Sequence, residues 1–72
     1  MKRFFDVHFF YNGKEDFSVP VQINSDGCVT EKMIIAKAIA DERIKLDGTI
    51  QVDYVEIIDE ETFTNLGGKV EA

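Results

Sequence analysis

The sequence contains little of what stabilises or equips many small proteins, with one cysteine, one histidine and no tryptophan. Because a single cysteine cannot form an internal disulfide, Cys28 adds no covalent link to the fold. The scarcity of cysteine and histidine also argues against a zinc site built from a cluster of such residues. Asn24, Asp26 and Gly27 have part of the spacing of a calcium loop, but Met33 stands where that loop needs a glutamate. We therefore predict no metal site and no cofactor.

The sequence also lacks a long apolar run. The apolar stretch that follows Lys2 and Arg3 is interrupted by Asp6 and His8, whereas a signal peptide needs an unbroken one. A membrane-spanning helix needs about 18 or more consecutive apolar residues, and no window comes near that length. We therefore expect a cytoplasmic protein that does not bind a membrane.

Basic residues are the minority among the charged ones. The 8 lysines and arginines stand against 14 aspartates and glutamates, which gives a net charge of −6. The deficit is local, since residues 1–24 sum to zero and residues 25–48 to −1, while residues 49–72 hold six acids against Lys69 alone, or −5. Nucleic-acid affinity comes largely from lysines and arginines that release counterions. We therefore expect no direct binding of nucleic acid.

The chain has 72 residues, of which 44% are apolar, and it includes six phenylalanines and two tyrosines. Typical domains have about 100–150 residues, so this length allows one small domain. A chain of this size buries only about 60% of the surface that its unfolded form exposes, so the core must be thin. The apolar content nevertheless excludes disorder along the whole chain.

Two strands are predicted in the first third of the chain. Residues 3–11 alternate so that one parity is fully apolar and the other is mixed, which is typical of a strand with one buried face. Asn12-Gly13 follows, and this dipeptide is a strong hairpin signal because both residues tolerate positive φ. A second strand covers roughly residues 16–23, and Pro20 favours an edge position for it because proline has no N–H to donate.

A helix and a third strand follow. Residues 31–44 have apolar side chains at helical spacing, with Thr30 as the predicted N-cap. The third strand spans about residues 49–58, and its apolar parity changes past Tyr54. Either a bulge changes the phase of the strand there, or its outer face is also partly covered.

These elements predict an α+β fold of two layers, with the order ββαβ. The richest apolar strand belongs in the centre and the proline-containing strand at an edge, so we predict a three-stranded antiparallel or mixed sheet of order 2-1-3 with one helix on one face. Residues 1–58 form this single domain. Residues 59–72 lose periodicity, and we interpret them as an acidic, glycine-containing C-terminal tail that is partly disordered.

The search for catalytic residues gives none. His8 lies on the mixed face beside Asp6 and across from Asp53 or Glu56, but no serine or cysteine is placed to use such a pair. We interpret His8 as a surface histidine near carboxylates, and we predict that the protein is not an enzyme. The run 59–61 is acidic enough to attract a cation weakly, but the start of a helix or a turn explains it better.

Two glycines precede the C-terminus. Leu66-Gly67-Gly68 resembles the end of ubiquitin-like modifiers, which also combine a hairpin, a helix and a sheet. In those proteins, however, the diglycine ends the mature chain, whereas four residues follow it here. We therefore interpret the two glycines as part of a flexible tail.

The outer face of the predicted sheet carries an apolar patch. Four large apolar side chains share that face, two on the mixed parity of the first strand and two on the apolar parity that follows Tyr54: Phe4, Phe10, Val55 and Ile57. A contiguous exposed patch of this kind usually marks an interface. The alternative is that the C-terminal tail folds over the patch.

Layout, size and charge of residues 3–58 resemble the small acidic accessory proteins of bacterial phages and integrative mobile elements. The resemblance implies a protein that inhibits or modulates a host or element protein by binding it. We predict a non-enzymatic interaction module whose acidic C-terminal third meets a basic surface of a partner protein. The residues predicted to bind the partner are Phe4, Phe10, Asp53, Glu56, Ile57, Asp59, Glu60 and Glu61. The alternative is a structural homodimer that associates through the outer sheet face or the edge strand.

Overall fold

The computed structural model describes residues 1–11, 16–42 and 48–72. Within these ranges the elements are β1 (Lys2–Tyr11), β2 (Asp16–Asn24), α1 (Glu31–Glu42), β3 (Ile50–Ile58) and α2 (Glu60–Asn65). The predicted α+β class is confirmed. The predicted Asn12-Gly13 turn and the last residues of the predicted helix lie outside the described ranges.

The strands form a sheet in which β1 is central. In the described part of the chain the sheet has three strands, in the order β2-β1-β3. β1 is antiparallel to both of its neighbours. This confirms the predicted order 2-1-3 and the edge position of β2, where Pro20 stands opposite Asp6.

The register of β3 shifts once, and this shift is the bulge that the change in parity indicated. His8 stands opposite Tyr54, whereas the next residue, Phe9, stands opposite Val52, so Asp53 is the extra residue of β3. A bulge of this kind shifts the alternation of the strand by one residue, so that beyond it the opposite set of side chains faces each side of the sheet.

Because of the bulge, Val55 and Ile57 lie on the face covered by α1. They stand opposite Val7 and Phe5, and both of these side chains belong to the core beneath α1. The expected outer patch is therefore wrong for Val55 and Ile57. The sequence pattern shows that the parity changes, but it does not show which of the two faces each half of the strand then occupies.

The core fills the space between α1 and the sheet. Val7, Phe9 and Ala38 are fully buried, and Val21 is nearly so. The buried residues that form one cluster come from both elements of the hairpin and from α1: Phe5, Val7, Phe9, Val19, Val21, Ile34 and Ala38. Ile34 and Ala38 are four residues apart, so they meet the sheet from one side of the helix.

Helix α1 begins as predicted. The hydroxyl of Thr30 accepts a hydrogen bond of 3.3 Å from the backbone N–H of Met33, which makes Thr30 the N-cap. Such a bond satisfies one of the N–H groups that the first turn leaves without a helical partner.

Helix α2 occupies part of the segment predicted to be a tail. Asp59 is its N-cap, and the Asp59 Oδ1 atom accepts a hydrogen bond of 2.8 Å from the N–H of Thr62. The interpretation of the acidic run as a helix start is therefore confirmed, since Glu60 and Glu61 form the first turn. Acidic side chains are favourable there because they face the positive end of the helix dipole.

The two glycines end α2. Gly67 has a φ of +93°, and its N–H donates to the carbonyl of Thr64 at 3.0 Å. The N–H of Gly68 donates to the carbonyl of Phe63, also at 3.0 Å. This pair of bonds is the Schellman motif, in which glycine is favoured because it adopts positive φ without steric cost. Gly67 and Gly68 thus have a structural role that the flexible-tail interpretation did not foresee.

Candidate functional site

The face of the sheet that points away from α1 is polar in its middle. β1 contributes Phe4, Asp6, His8 and Phe10 to this outer face, at alternate positions. Opposite them β3 contributes Ile58, Glu56, Tyr54 and Gln51 in register. The outer face therefore has an apolar end around Phe4 and a charged centre.

Helix α2 covers the apolar end. The rings of Phe4 and Phe63 lie with their centroids 4.8 Å apart, and the two residues are 8% and 3% exposed. The alternative that the C-terminal segment folds over the patch is therefore correct at Phe4, through Phe63. Leu66, the second apolar residue expected to take part, is 43% exposed.

The residues after α2 hydrogen bond to the edge strand β2. The side chain of Gln22 donates to the carbonyl of Glu71 at 2.9 Å and accepts from the N–H of the same residue at 2.7 Å. Asn24 donates to the carbonyl of Ala72 at 3.2 Å. These bonds satisfy the amide of Gln22, which is 8% exposed.

The charged centre is a cluster of Asp6, His8 and Glu56. The Nε2 atom of His8 lies 3.2 Å from Asp6 Oδ2 and 3.0 Å from Glu56 Oε1. Potential ligand atoms of the three residues all lie within 4.8 Å of one another. Asp6 and Glu56 are directly opposite in the ladder, an arrangement that costs free energy when both carry the same charge. His8 therefore lies where a positive charge is most needed.

Burial within this cluster is uneven. The Asp6 side chain is 5% exposed, that of His8 is 18% exposed, and that of Glu56 is 53% exposed. The Oδ1 atom of Asp6 is buried and has no hydrogen-bond partner among the described residues. Pro20, which faces Asp6 from β2, has no N–H to offer. The ring of Tyr54 stacks on that of His8 at 4.2 Å and 10°, which holds the imidazole in place.

The described part of β3 forms the other edge of the sheet, and it is more exposed than β2. Ile57 is 83% exposed although it lies on the face that α1 covers. Lys2 and Arg3 lie at the same end of the sheet, beside Ile57 and Asp59 in a shallow depression. This edge therefore combines a large apolar side chain with charges of both signs.

The residues predicted to bind a partner are divided by the structure into two sets. Phe4 is buried under α2, and Phe10 is half-buried on the outer face. The six others are exposed and follow one another along β3 and the start of α2; we call them the acidic β3–α2 surface: Asp53, Glu56, Ile57, Asp59, Glu60 and Glu61.

One carboxyl group of this surface has a shifted pKa. Hydrogen bonds from the side chain and the backbone N–H of Thr62 hold the pKa of Asp59 below its usual value. Such bonds favour the ionised carboxylate. Asp59 therefore stays charged at pH values where an ordinary aspartate begins to take up a proton.

The sequence predicts a surface histidine near carboxylates, with Asp6 beside His8 and either Asp53 or Glu56 across from it. The structure shows the contacts with Asp6 and Glu56. The contact between His8 and Glu56 and the stacking of Tyr54 on His8 depend on the register of β3, which the bulge at Asp53 sets. No sequence pattern gives that register.

Comparisons with known proteins add no relative. No protein-family model, curated protein or solved structure matches the chain. Neither helix of the described ranges has the length and apolarity needed to cross a bilayer. The structure alone therefore carries the functional argument.

Proposed function

We propose that this chain is a non-enzymatic, cytoplasmic protein-interaction module that binds a basic surface of a partner protein. The acidic β3–α2 surface makes the contact, and Ile57 supplies an apolar anchor. This is the role implied by the resemblance to accessory proteins of phages and mobile elements.

The observation that supports the proposal is the exposure of Ile57 next to carboxylates. A fully solvated isoleucine costs free energy, and burying one contributes about 1.5–3 kcal/mol. Ile57 is 83% exposed on an edge strand. The exposed Asp59 lies beside it in the same depression, and the exposed Glu56 precedes it in sequence on the opposite face of the strand. A partner that covers Ile57 would also meet these acids.

The charge distribution supports a basic partner. Residues 49–72 carry a net charge of −5 of the total −6. Complementary charge steers association and improves specificity more than it increases affinity. Lys2 and Arg3 reduce the negative potential beside Ile57, so the acids of α2 and the bulge residue Asp53 would contribute most of the attraction.

The test begins with capture of the partner from the native host and continues with titration of the identified protein. We expect the double variant Glu60→Lys, Glu61→Lys to bind it at least about tenfold more weakly, with a reduced salt dependence. We also expect Ile57→Ser to raise the dissociation rate.

The matched control is Glu31→Lys, Glu42→Lys. It changes the net charge by the same amount, and Glu31 is also a first-turn acid, but both residues lie on α1. If this control weakens binding as much as the α2 variant does, total charge rather than the acidic β3–α2 surface is responsible. Light scattering on the free chain tests the alternative, a structural homodimer through the outer sheet face or the edge strand β2, because a monomeric chain would contradict it.

A further inference from the structure

The Asp6–His8–Glu56 cluster has the composition of a metal site. One imidazole nitrogen and two carboxylate groups come from adjacent strands and point to the same side of the sheet. Imidazole and carboxylate together suit first-row divalent ions such as Zn²⁺, whereas Mg²⁺ and Ca²⁺ prefer oxygen ligands alone.

The distances fit such an ion. Ligands of a tetrahedral zinc at bond lengths of about 2.0–2.2 Å lie about 3.3–3.5 Å from one another. The Nε2 atom of His8 is 3.2 Å from an oxygen of Asp6 and 3.0 Å from an oxygen of Glu56. The widest separation within the set is 4.8 Å or less, and the half-exposed Glu56 side chain on the edge strand is free to close it.

A second, independent observation is the state of Asp6. The Asp6 side chain is 5% exposed, and its Oδ2 atom lies 3.2 Å from His8 Nε2. Its Oδ1 atom has no hydrogen-bond partner in the described ranges. A buried carboxylate oxygen without a hydrogen-bond partner is unfavourable, so its presence requires an explanation.

A proton on His8 Nε2 explains only part of this arrangement. The single N–H has to be shared between two carboxylates, and it leaves Asp6 Oδ1 without a partner. A divalent cation would neutralise the two opposed carboxylates together and accept lone pairs from all three side chains. The Tyr54 ring, stacked on the imidazole, would fix the direction of the nitrogen ligand.

We infer that Asp6, His8 and Glu56 form a site for a divalent transition-metal ion of the zinc class on the outer face of the sheet. Three protein ligands leave one tetrahedral position for water or another ligand. The site lies beside the Phe4–Phe63 contact, so a bound ion would stabilise the part of the outer face that adjoins α2.

The test is calorimetric titration of the chelator-treated full chain with ZnCl₂. All proteins carry Cys28→Ser, because Cys28 is exposed and a thiol binds zinc by itself. We expect one zinc ion per chain, and at least about tenfold weaker binding in His8→Ala and in Glu56→Gln. In a ¹⁵N spectrum, zinc should shift the signal of His8 Nε2 far more than Mg²⁺ at the same concentration.

The control is Glu60→Gln, Glu61→Gln, which removes two exposed carboxylates outside the cluster and should leave zinc binding unchanged. If His8→Ala fails to fold, Glu56→Gln, at an exposed position, decides the question. Zinc binding that is equal in the wild type and in Glu56→Gln, or no zinc binding at millimolar concentration, would overturn the inference. No partner protein is present in the titration, so its result does not depend on the proposed function.

Discussion

Both faces of the sheet meet a helix, but the two helices cover very different surfaces. Helix α1 covers the inner face and has 12 residues. The strand side chains that it packs against are almost all apolar. Val7 and Phe9 are fully buried there, and every neighbour in the cluster is apolar. A face of this kind gains free energy from burial over its whole area, so it holds the fold together.

On the outer face α2 has six residues and brings one buried side chain, Phe63, to the sheet. Beyond Phe4 that face is occupied by Asp6, His8 and Glu56. A helix this short has little stability of its own, so its position depends on the single aromatic contact and on its caps. The comparison indicates that the inner face provides most of the stability of the fold, whereas the polar outer face contributes less.

The largest expected difference between the faces comes from one pair of matched variants. Phe9→Ala removes a ring that is fully buried and stacked on Phe17 at 5.2 Å, and it should cost about 3–5 kcal/mol. A chain of 72 residues has about 4–11 kcal/mol of stability in total, so this variant should lose a large part of it. Urea denaturation followed by circular dichroism measures the loss.

Phe63→Ala removes a ring of the same size and nearly the same burial from the outer face. We expect it to cost about 2 kcal/mol, because a short terminal helix can detach while the rest of the domain stays folded. Hydrogen exchange should then speed up in residues 60–68 and remain slow in β1. Equal losses in the two variants would show that α2 is as much a part of the cooperative fold as α1.

An effect comparable to that of Phe63→Ala is expected at Gly68, where the structure leaves no space for a side chain. A Cβ atom there would lie 2.5–2.7 Å from three ring atoms of Phe63. Gly68→Ala should therefore displace the ring or the chain and cost about 1–3 kcal/mol. Gly27→Ala is the control, since its Cβ would meet only Ser25 Oγ at 3.7 Å, and it should change thermal stability by less than about 0.5 kcal/mol. If the two variants have the same melting temperature, the packing of α2 on the outer face does not depend on the fit around Phe63.

The two faces also differ in how far the sequence predicts them. Alternation in residues 3–11 and the position of Pro20 are enough to predict the inner face of β1, the edge position of β2 and the order 2-1-3. Helix α2 has no periodicity because it offers one buried residue, Phe63. Its signals were the caps, Asp59 before the helix and Gly67 after it, and cap residues are also common in turns and tails.

The cluster around His8 was less predictable still. Its geometry follows from the bulge at Asp53, which puts Glu56 opposite Asp6 on the outer face and Ile57 on the inner one. A shift of one residue exchanges the two faces of a strand. The sequence shows that the parity changes, whereas only the paired strands show where the carboxylates meet.

The smallest expected effect concerns the pH dependence of the packing of α2 on the outer face. Hydrogen bonds from Thr62 lower the pKa of Asp59 in the folded chain below the value of about 3.9 that an unfolded aspartate has. A lowered folded pKa means that the contribution of Asp59 is fully present above the unfolded pKa and is lost as the pH falls through the folded one. We therefore expect the hydrogen-exchange protection of residues 60–68, corrected for the intrinsic rate at each pH, to decrease as the pH is lowered from neutral to pH 3.

Asp59→Asn keeps an N-cap acceptor without the charge, so this part of the pH dependence should disappear while α2 still forms. Asp59→Ala removes the cap itself and should weaken the protection of α2 at every pH. On the inner face, protection of β1 should be the same in all three proteins, because the cap bond of Asp59 is made to Thr62 within α2. A pH dependence of α2 in Asp59→Asn equal to that of the wild type would assign it to other carboxylates, of which Glu60 and Glu61 are the nearest in sequence. The pH dependence of α2 would then come from the total charge of its acidic first turn, and the hydrogen bonds of the Asp59 cap would not contribute to it.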